Sequence, residues 1–392
     1  MLNSNHQTFC PAGLQLRSFS DLPAKTSPDS STDTVSKEDR VRGIFFGALV
    51  ADSLSLGSHY EYDAVKIKQA YQGEIDKFMA PGEQMGGETH GIGWGSQNYH
   101  KGTVAGDQTD YGEYNVLILE HLARITPGDF TVGSLLPEWK HRLMGGEWKQ
   151  WVCTQTKHVF MQLGRGTPES QLGGNSNAMA LRYAPVFAYT NDEADVVEYA
   201  RYTMFTHREQ TALLGNEFFA RVTYRILHKN MTPRQAIDAV AAKMKNPFIS
   251  EKVQQAIDKV EEAIDSEKDL SKEEFVDDLA LTSMARLWDV GKSEPIKVGK
   301  ASPTEGTLPG SIYFILKYQD DMIGAFKANA MVGGDNASRS IAIGMVLGAY
   351  HGVGAIDQKW RDGLNHWKYC EEMLEQLPLL EGSSTTPSSG EL

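Results

Sequence analysis

Two stretches of the chain repeat small residues every four positions within apolar surroundings. Gly344, Gly348 and Gly352 fall on one face of the helix predicted from GGDNASRSIAIGMVLGAYHG, which starts at Gly333. Gly43, Gly47, Ala51 and Ser55 form a second row in RVRGIFFGALVADSLSLG. A helix-interior glycine costs about 1 kcal/mol against alanine, so a glycine face calls for another backbone close by. Each row supplies what the other lacks, which predicts two closely packed helices. A further helix is expected over Asp110–Arg124, with Val116, Leu117, Leu119, Leu122 and Ala123 as its apolar residues. Trp139–Phe160 reads as amphipathic and helical. The chain then breaks at QLGGNSN, re-enters a helix before Pro185, and begins another near Thr206 and His207. Residues 233–289 alternate acidic and apolar positions at helical spacing. No alternating strand pattern of useful length and no solenoid repeat is present, so the fold class expected is all-α.

The polar stretches divide the chain. Residues 1–38 are rich in Ser, Thr, Pro and Asp without periodicity and read as a disordered arm; the tail from Gly382, GSSTTPSSGEL, reads the same way. Residues 39–381 then form one helical domain, with a polar loop at 290–308. Residues 66–105 make a long irregular loop that carries Trp94, Tyr99 and His100, and a loop of that length in a compact domain is functional or disordered.

Charge and cysteine usage narrow the function. The 392 residues carry a formal charge of −13, with no dense Lys/Arg stripe, which opposes nucleic-acid binding. The longest apolar run, Gly43–Leu56, is interrupted by Asp52 and too short for a bilayer. Three distant cysteines fit the cytoplasm or another reducing compartment, with organellar targeting left open. The eleven histidines show no H-E-x-x-H spacing, so surface or hydrogen-bonded core roles are expected for most.

Several polar residues sit where chemistry is plausible. Asp52 lies beside the small-residue face, so it is either hydrogen-bonded in the core or aimed at a site. Asp107, Thr109, Asp110 and Glu113 crowd the start of the Asp110 helix. They complement its dipole or form an oxygen-rich half-site for a hard cation. Asp335, Asn336 and Ser338 head the glycine-faced helix as an N-cap or as the matching half-site. The loop Gly173, Gly174, Asn175, Ser176 and Asn177 suits an anion such as diphosphate, as glycine-rich helix approaches do. His207 reads as a cap or core residue.

Four blocks in order, GALVADSLSLG (Gly47–Gly57), GDQTDYGE (Gly106–Glu113), GGNSNAMALRYAP (Gly173–Pro185) with FTHREQTA (Phe205–Ala212), and GGDNASRSIAIGMVLGA (Gly333–Ala349), resemble the ADP-ribosylglycohydrolase family. The resemblance runs from about Arg40 to Gln376 and is to the branch of J-type crystallins. It implies an orthogonal all-α bundle with a central cleft, where active members hold two Mg²⁺ and cleave ADP-ribose from a side chain or small acceptor. The family's T-D-D falls on Thr109, Asp110 and Tyr111, and its D-x-D-T on Asp335, Asn336, Ala337 and Ser338. Two carboxylates are therefore missing, at Tyr111 and Ala337.

The resemblance implies Thr109, Asp110, Asp335 and Ser338 as metal ligands. Fewer carboxylates favour one Mg²⁺ over two. A metal-free site with Arg339 as the cation, four residues beyond Asp335, is the alternative. By the same resemblance Asp110, Asp335 and Glu113 are the catalytic candidates. The Gly173–Asn177 loop, His207, Tyr111 and Asp52 would line the site for ADP-ribose or an ADP-ribosylated substrate, with Tyr99 also available to stack. The function expected is hydrolysis of an ADP-ribosyl bond; the alternative is an inactive ADP-ribose-binding or crystallin-like structural protein.

Overall fold

Helix α1 (Lys37–Ser55) begins two residues before the expected boundary at Asp39, because Ser36 caps it by accepting from the Asp39 amide at 3.0 Å. From Gly43 to Ser55 every residue of α1 is buried, so the helix runs through the core. Its partner is α13 (Asn336–His351). The two glycine rows meet there. A Cβ on Gly43 would collide with the Gly348 carbonyl, one on Gly348 with the Gly43 carbonyl, and Gly47 and Gly344 face each other in the same way. The packing expected from the four-residue spacing is the packing observed.

The computed structural model describes residues 35–91, 95–265, 282–283, 296–297 and 302–382, and these lie in one compact unit starting at Val35. Between α1 and α13 the described helices are α2 (Ala64–Ala70), α3 (Asp110–Leu122), α4 (Val132–Met144), α5 (Thr154–Gly164), α6 (Val186–Tyr189) and α7 (Glu193–Thr203). They continue with α8 (Gln210–Lys229), α9 (Pro233–Met244), α10 (Pro247–Asp265), α11 (Thr304–Lys317) and α12 (Met322–Val332). After α13 come α14 (Gln358–Gly363) and α15 (Trp367–Leu374). Helices α3, α8 and α12 each pack against both α1 and α13. Among the described residues strand content is limited to two antiparallel pairs, β1 (Thr89–Gly91) with β2 (Gly95–Gln97) and β3 (Thr282–Ser283) with β4 (Ile296–Lys297). The fold is all-α, as expected.

Two helical expectations are corrected. Trp139–Phe160 is not continuous: α4 ends before Gly145 and Gly146, the latter at φ +88°, and α5 starts at Thr154. Trp148 and Trp151 occupy the break. Residues 178–183 are not helical but run as a buried irregular segment. Its backbone groups find partners in Asn115, whose amide donates to the Leu181 carbonyl and accepts from Ala184 N, and in Ser338, which donates to the Met179 carbonyl.

The expected arm over residues 1–34, Trp94, most of the span from 266 to 301, and the tail from 383 lie outside the described residues. Cys153 and Cys370 are free thiols. Among the described residues no helix is long and apolar enough to cross a membrane.

Candidate active site

The site is built where the start of α3 meets the start of α13. Thr109 caps α3, its hydroxyl accepting from Tyr111 N at 3.1 Å. The same hydroxyl donates to Asp52 Oδ1, and Thr109 N donates to Asp52 Oδ2, both at 2.7 Å. Gly112 follows because a Cβ there would strike the Asp52 carboxylate. Burial pushes the Asp52 carboxyl up to about 7 against the pull of the Thr109 bonds. Asp52 is therefore a core residue that fixes the first turn of α3, and with it Asp110, onto α1.

Asp335 caps α13, with Oδ1 accepting from Ser338 N at 3.3 Å and Oδ2 accepting from the Tyr111 hydroxyl at 2.9 Å. The turn before it needs positive φ at Gly333 (+71°) and Gly334 (+65°). Tyr60, itself at φ +64°, donates from its amide to the Gly334 carbonyl at 2.8 Å, while Gly334 N donates to the Glu61 carbonyl at 2.6 Å. This exchange holds the segment after α1 against the head of α13 and places His59 beside Asp335.

His59 Nδ1 lies 3.1 Å from Asn336 Oδ1 and 4.0 Å from Asp335 Oδ1. His100 follows β2, in a 66–105 stretch that is not irregular throughout as expected but carries the end of α2 and the β1–β2 pair. Its Nδ1 accepts from Trp151 N at 3.2 Å. His59, His100 and Asp110 each offer a ligand atom within 4.8 Å of the others, a grouping that could hold a metal ion. His59 Nε2, His100 Nε2 and Asp110 Oδ1 are all buried without a hydrogen-bond partner. Burial, reinforced by the Asp335 charge, raises the Asp110 carboxyl well above the usual carboxylate range. Burial lowers both imidazoles, so they stay neutral near pH 7.

A buried cation joins this centre to the expected anion loop. The Arg182 guanidinium sits 3.6 Å from the centre of the Tyr114 ring and donates to Thr206 Oγ1 at 2.8 Å. Thr206 Oγ1 in turn lies 2.7 Å from His207 Nδ1, and Gly174 bridges to His207 through the backbone. Arg182 also holds the Asp110 carboxyl down against burial, which places its charge in the same field.

Of the site residues expected from sequence, Asp52, Thr109, Asp110, Tyr111 and Asp335 converge, and His207 with Gly173 and Gly174 lies on the Arg182 side. The others are engaged elsewhere. Glu113 is ion-paired with Arg142 at 2.7 Å, so its carboxylate is committed to α4. Ser338 donates to the Met179 carbonyl at 3.0 Å. Asn177 is bonded to Glu305 at 2.8 Å, Ser176 accepts from Ala178 N at 3.3 Å, and Asn175 is exposed. Arg339 is buried but makes no fork to Asp335: it donates to Asn329 Oδ1 and to the Gly333 carbonyl at 2.8 and 2.7 Å. His59 and Arg182 were not legible as site residues, and His100 was legible only as an aromatic-rich loop position.

The sequence model of the ADP-ribosylglycohydrolase family matches residues 33–387. The chain belongs to the ADP-ribosylglycohydrolase family. A solved chain described as an ADP-ribosylglycohydrolase-related protein complex aligns at TM-score 0.55 and 15% identity, covering 88% of this chain and 99% of that one. That likeness shows the fold. No curated protein matches the chain.

Within this family member, the residues present do not fit the Mg²⁺ that the resemblance implies. Magnesium requires near-octahedral oxygen ligands. Here the Tyr111 phenol stands where the family has a second carboxylate, and it bonds to Asp335. The other two members of the buried group with Asp110 are imidazoles, which suit later transition ions rather than Mg²⁺.

Proposed function

We propose that the protein hydrolyses an ADP-ribosyl glycosidic bond at the centre formed by Asp110, Asp335, Tyr111 and the two imidazoles. The observation that carries this reading is the Asp110 carboxylate oxygen, buried and unpaired in a chain of this family. Leaving a buried polar atom unpaired costs about 1–3 kcal/mol, a cost that function explains and packing does not.

Cleavage leaves the ribose carbon with oxocarbenium-like positive charge, and a carboxylate beside it stabilises that charge. Asp110 is placed for this role; Asp335, neutralised in part by the Tyr111 hydroxyl, orients that phenol toward the same region. Asp52 and Thr109 hold Asp110 in place without touching substrate. On the other side Arg182, Thr206, His207 and the Gly173–Gly174 backbone supply positive charge and polar contacts suited to the diphosphate. The acceptor from which ADP-ribose is released is a protein side chain or a small molecule.

The test is release of ADP-ribose from ADP-ribosylated peptides bearing arginine or serine linkages, comparing the wild type with Asp110→Asn. The variant is isosteric, and the expected loss is about 10²-fold or more in kcat. Equal turnover by the two proteins would remove Asp110 from the chemistry.

A further inference from the structure

The hydrogen bonds around His59 and His100 assign opposite tautomers to two imidazoles that are grouped with Asp110, one ligand atom of each residue within 4.8 Å of the others. Asn336 donates from its amide nitrogen to Ser58 Oγ at 2.8 Å, so its Oδ1 is the atom facing His59. An oxygen acceptor there requires the proton on His59 Nδ1 and leaves a lone pair on Nε2. At His100 the polarity is reversed. Trp151 N is a donor, so His100 Nδ1 must carry the lone pair and Nε2 the proton. The three unpaired buried atoms are thus one N–H donor, His100 Nε2, and two acceptors, His59 Nε2 and, in the ionised form that Arg182 favours against burial, Asp110 Oδ1.

A metal ion needs a lone pair from every ligand, and a ligating histidine donates its other ring proton to an acceptor. His59 meets that rule and His100 breaks it. Turning His100 into a ligand would set its Nδ1–H against the Trp151 N–H, donor against donor, and break that hydrogen bond. A water molecule has the opposite requirement: it accepts from a donor and gives its two protons to two acceptors, which is the set on offer. All three residues are at most 4% exposed, so the site is screened from bulk solvent.

We propose that His59, His100 and Asp110 form a metal-free site for the hydrolytic water, with His59 Nε2 as its base; this rests on the hydrolase reading above. His100 fixes the water oxygen, and Asp110 and His59 take its two protons as hydrogen bonds. In the reaction the water oxygen bonds to the anomeric carbon as the bond from that carbon to the acceptor breaks. The bonding pair leaves with the acceptor. The water's proton passes to His59 Nε2 and is returned to the acceptor, so one water is consumed and no electrons are exchanged with any other reagent.

Two measurements on the full-length protein decide this. With ¹⁵N-labelled histidine in EDTA, long-range ¹H–¹⁵N spectra should show His59 as the Nδ1–H form and His100 as the Nε2–H form, unchanged by an equivalent of Zn²⁺. His100 in the Nδ1–H form, or stoichiometric shifts of both rings with Zn²⁺, would overturn the proposal in favour of a metal centre, whatever the activity. In the second, EDTA-treated enzyme should hydrolyse its substrate within about two-fold of untreated enzyme. His59→Gln should lose about 10²-fold or more in kcat while keeping its ADP-ribose thermal shift. Hydrolysis that depends on an added divalent ion overturns the metal-free site and leaves the hydrolase reading standing. Absence of hydrolysis under every condition overturns the hydrolase reading, and the tautomers then still decide whether the site takes water or metal.

Discussion

At the scale of single residues, the departure at Tyr111 from the pattern the resemblance implies has a local partner. Tyr111 stands where the family has a carboxylate, and its phenol donates to the carboxylate that remains at Asp335. A phenol donor beside a carboxylate makes a hydrogen-bonded pair where two carboxylates would repel one another. Burial and the Asp335 and Asp110 charges raise the Tyr111 hydroxyl well above its ordinary range, so it stays a donor. Tyr111→Phe deletes that donor alone and leaves Asp335 Oδ2 without it. The expected cost is about 1–3 kcal/mol of stability, read as a lower urea midpoint at unchanged slope. A midpoint equal to wild type would mean that Asp335 does not depend on the phenol. Residues of this kind were legible because they interrupt a motif. Arg182 was not, because it sits in an apolar run where a lone polar residue reads as core, and His59 was not, because it lies in a mixed polar and aromatic stretch with no motif spacing. Their role comes from the convergence of α3, α13 and the 178–183 segment, and periodicity carries no record of that. Glu113 shows the opposite error: its place in an acidic helix start suggested chemistry, and the partner that claims it, Arg142, comes from the following helix.

At the scale of elements, the glycine rows of α1 and α13 were the clearest signal in the chain. Glycine is disfavoured inside helices, so a four-residue repeat of it names both a face and the need for a close partner. The irregular elements were less legible. Ala178–Tyr183 has helix-compatible composition, yet its backbone is bonded by Asn115 and Ser338, residues far away in sequence. The break at residues 145–146 lies inside an amphipathic pattern that runs from Trp139 to Phe160, so periodicity alone does not mark it. Position decides what a helical glycine is worth, and two substitutions separate the cases. Gly348→Ala puts a Cβ into the Gly43 backbone, where no side chain can move aside. Its expected cost is about 2–3 kcal/mol or more. Gly164→Ala, at the end of α5, meets nothing within 4 Å and should be neutral or stabilising by up to about 1 kcal/mol. Denaturation of the two variants side by side gives the result; equal midpoints would show that the α1–α13 interface relaxes to admit a methyl group.

At the scale of the whole molecule, the ends of the described chain are sewn to the same core pair. Arg42 of α1 bonds to Glu375 at 2.7 Å, and Phe46 stacks on Trp367 of α15 with ring centres 3.9 Å apart. Arg40 donates to the Ala349 carbonyl at the end of α13 at 2.8 Å. Asp110, Tyr111 and Asp335 sit on this frame at the starts of α3 and α13, while His100, Arg182 and His207 join it through shorter elements: the three-residue strands β1 and β2 and the irregular 173–183 segment. Amides in a buried helix exchange with solvent only on global unfolding, whereas short surface elements open locally at much lower free energy. Hydrogen exchange should therefore rank the molecule, with residues 43–55 slowest and residues 89–91 and 95–97 among the fastest. Bound ADP-ribose must stabilise what it touches. It is expected to slow exchange across 98–111, 173–182 and 205–208, because those segments carry His100, Asp110, Arg182 and His207. Helices α9 and α10 hold none of those residues and should keep their rates. Protection that appeared in α9 and α10 instead would place the ligand elsewhere and separate the nucleotide site from the Asp110 centre. Protection confined to 173–182 and 205–208 would place the diphosphate as argued and leave the ribose short of Asp110.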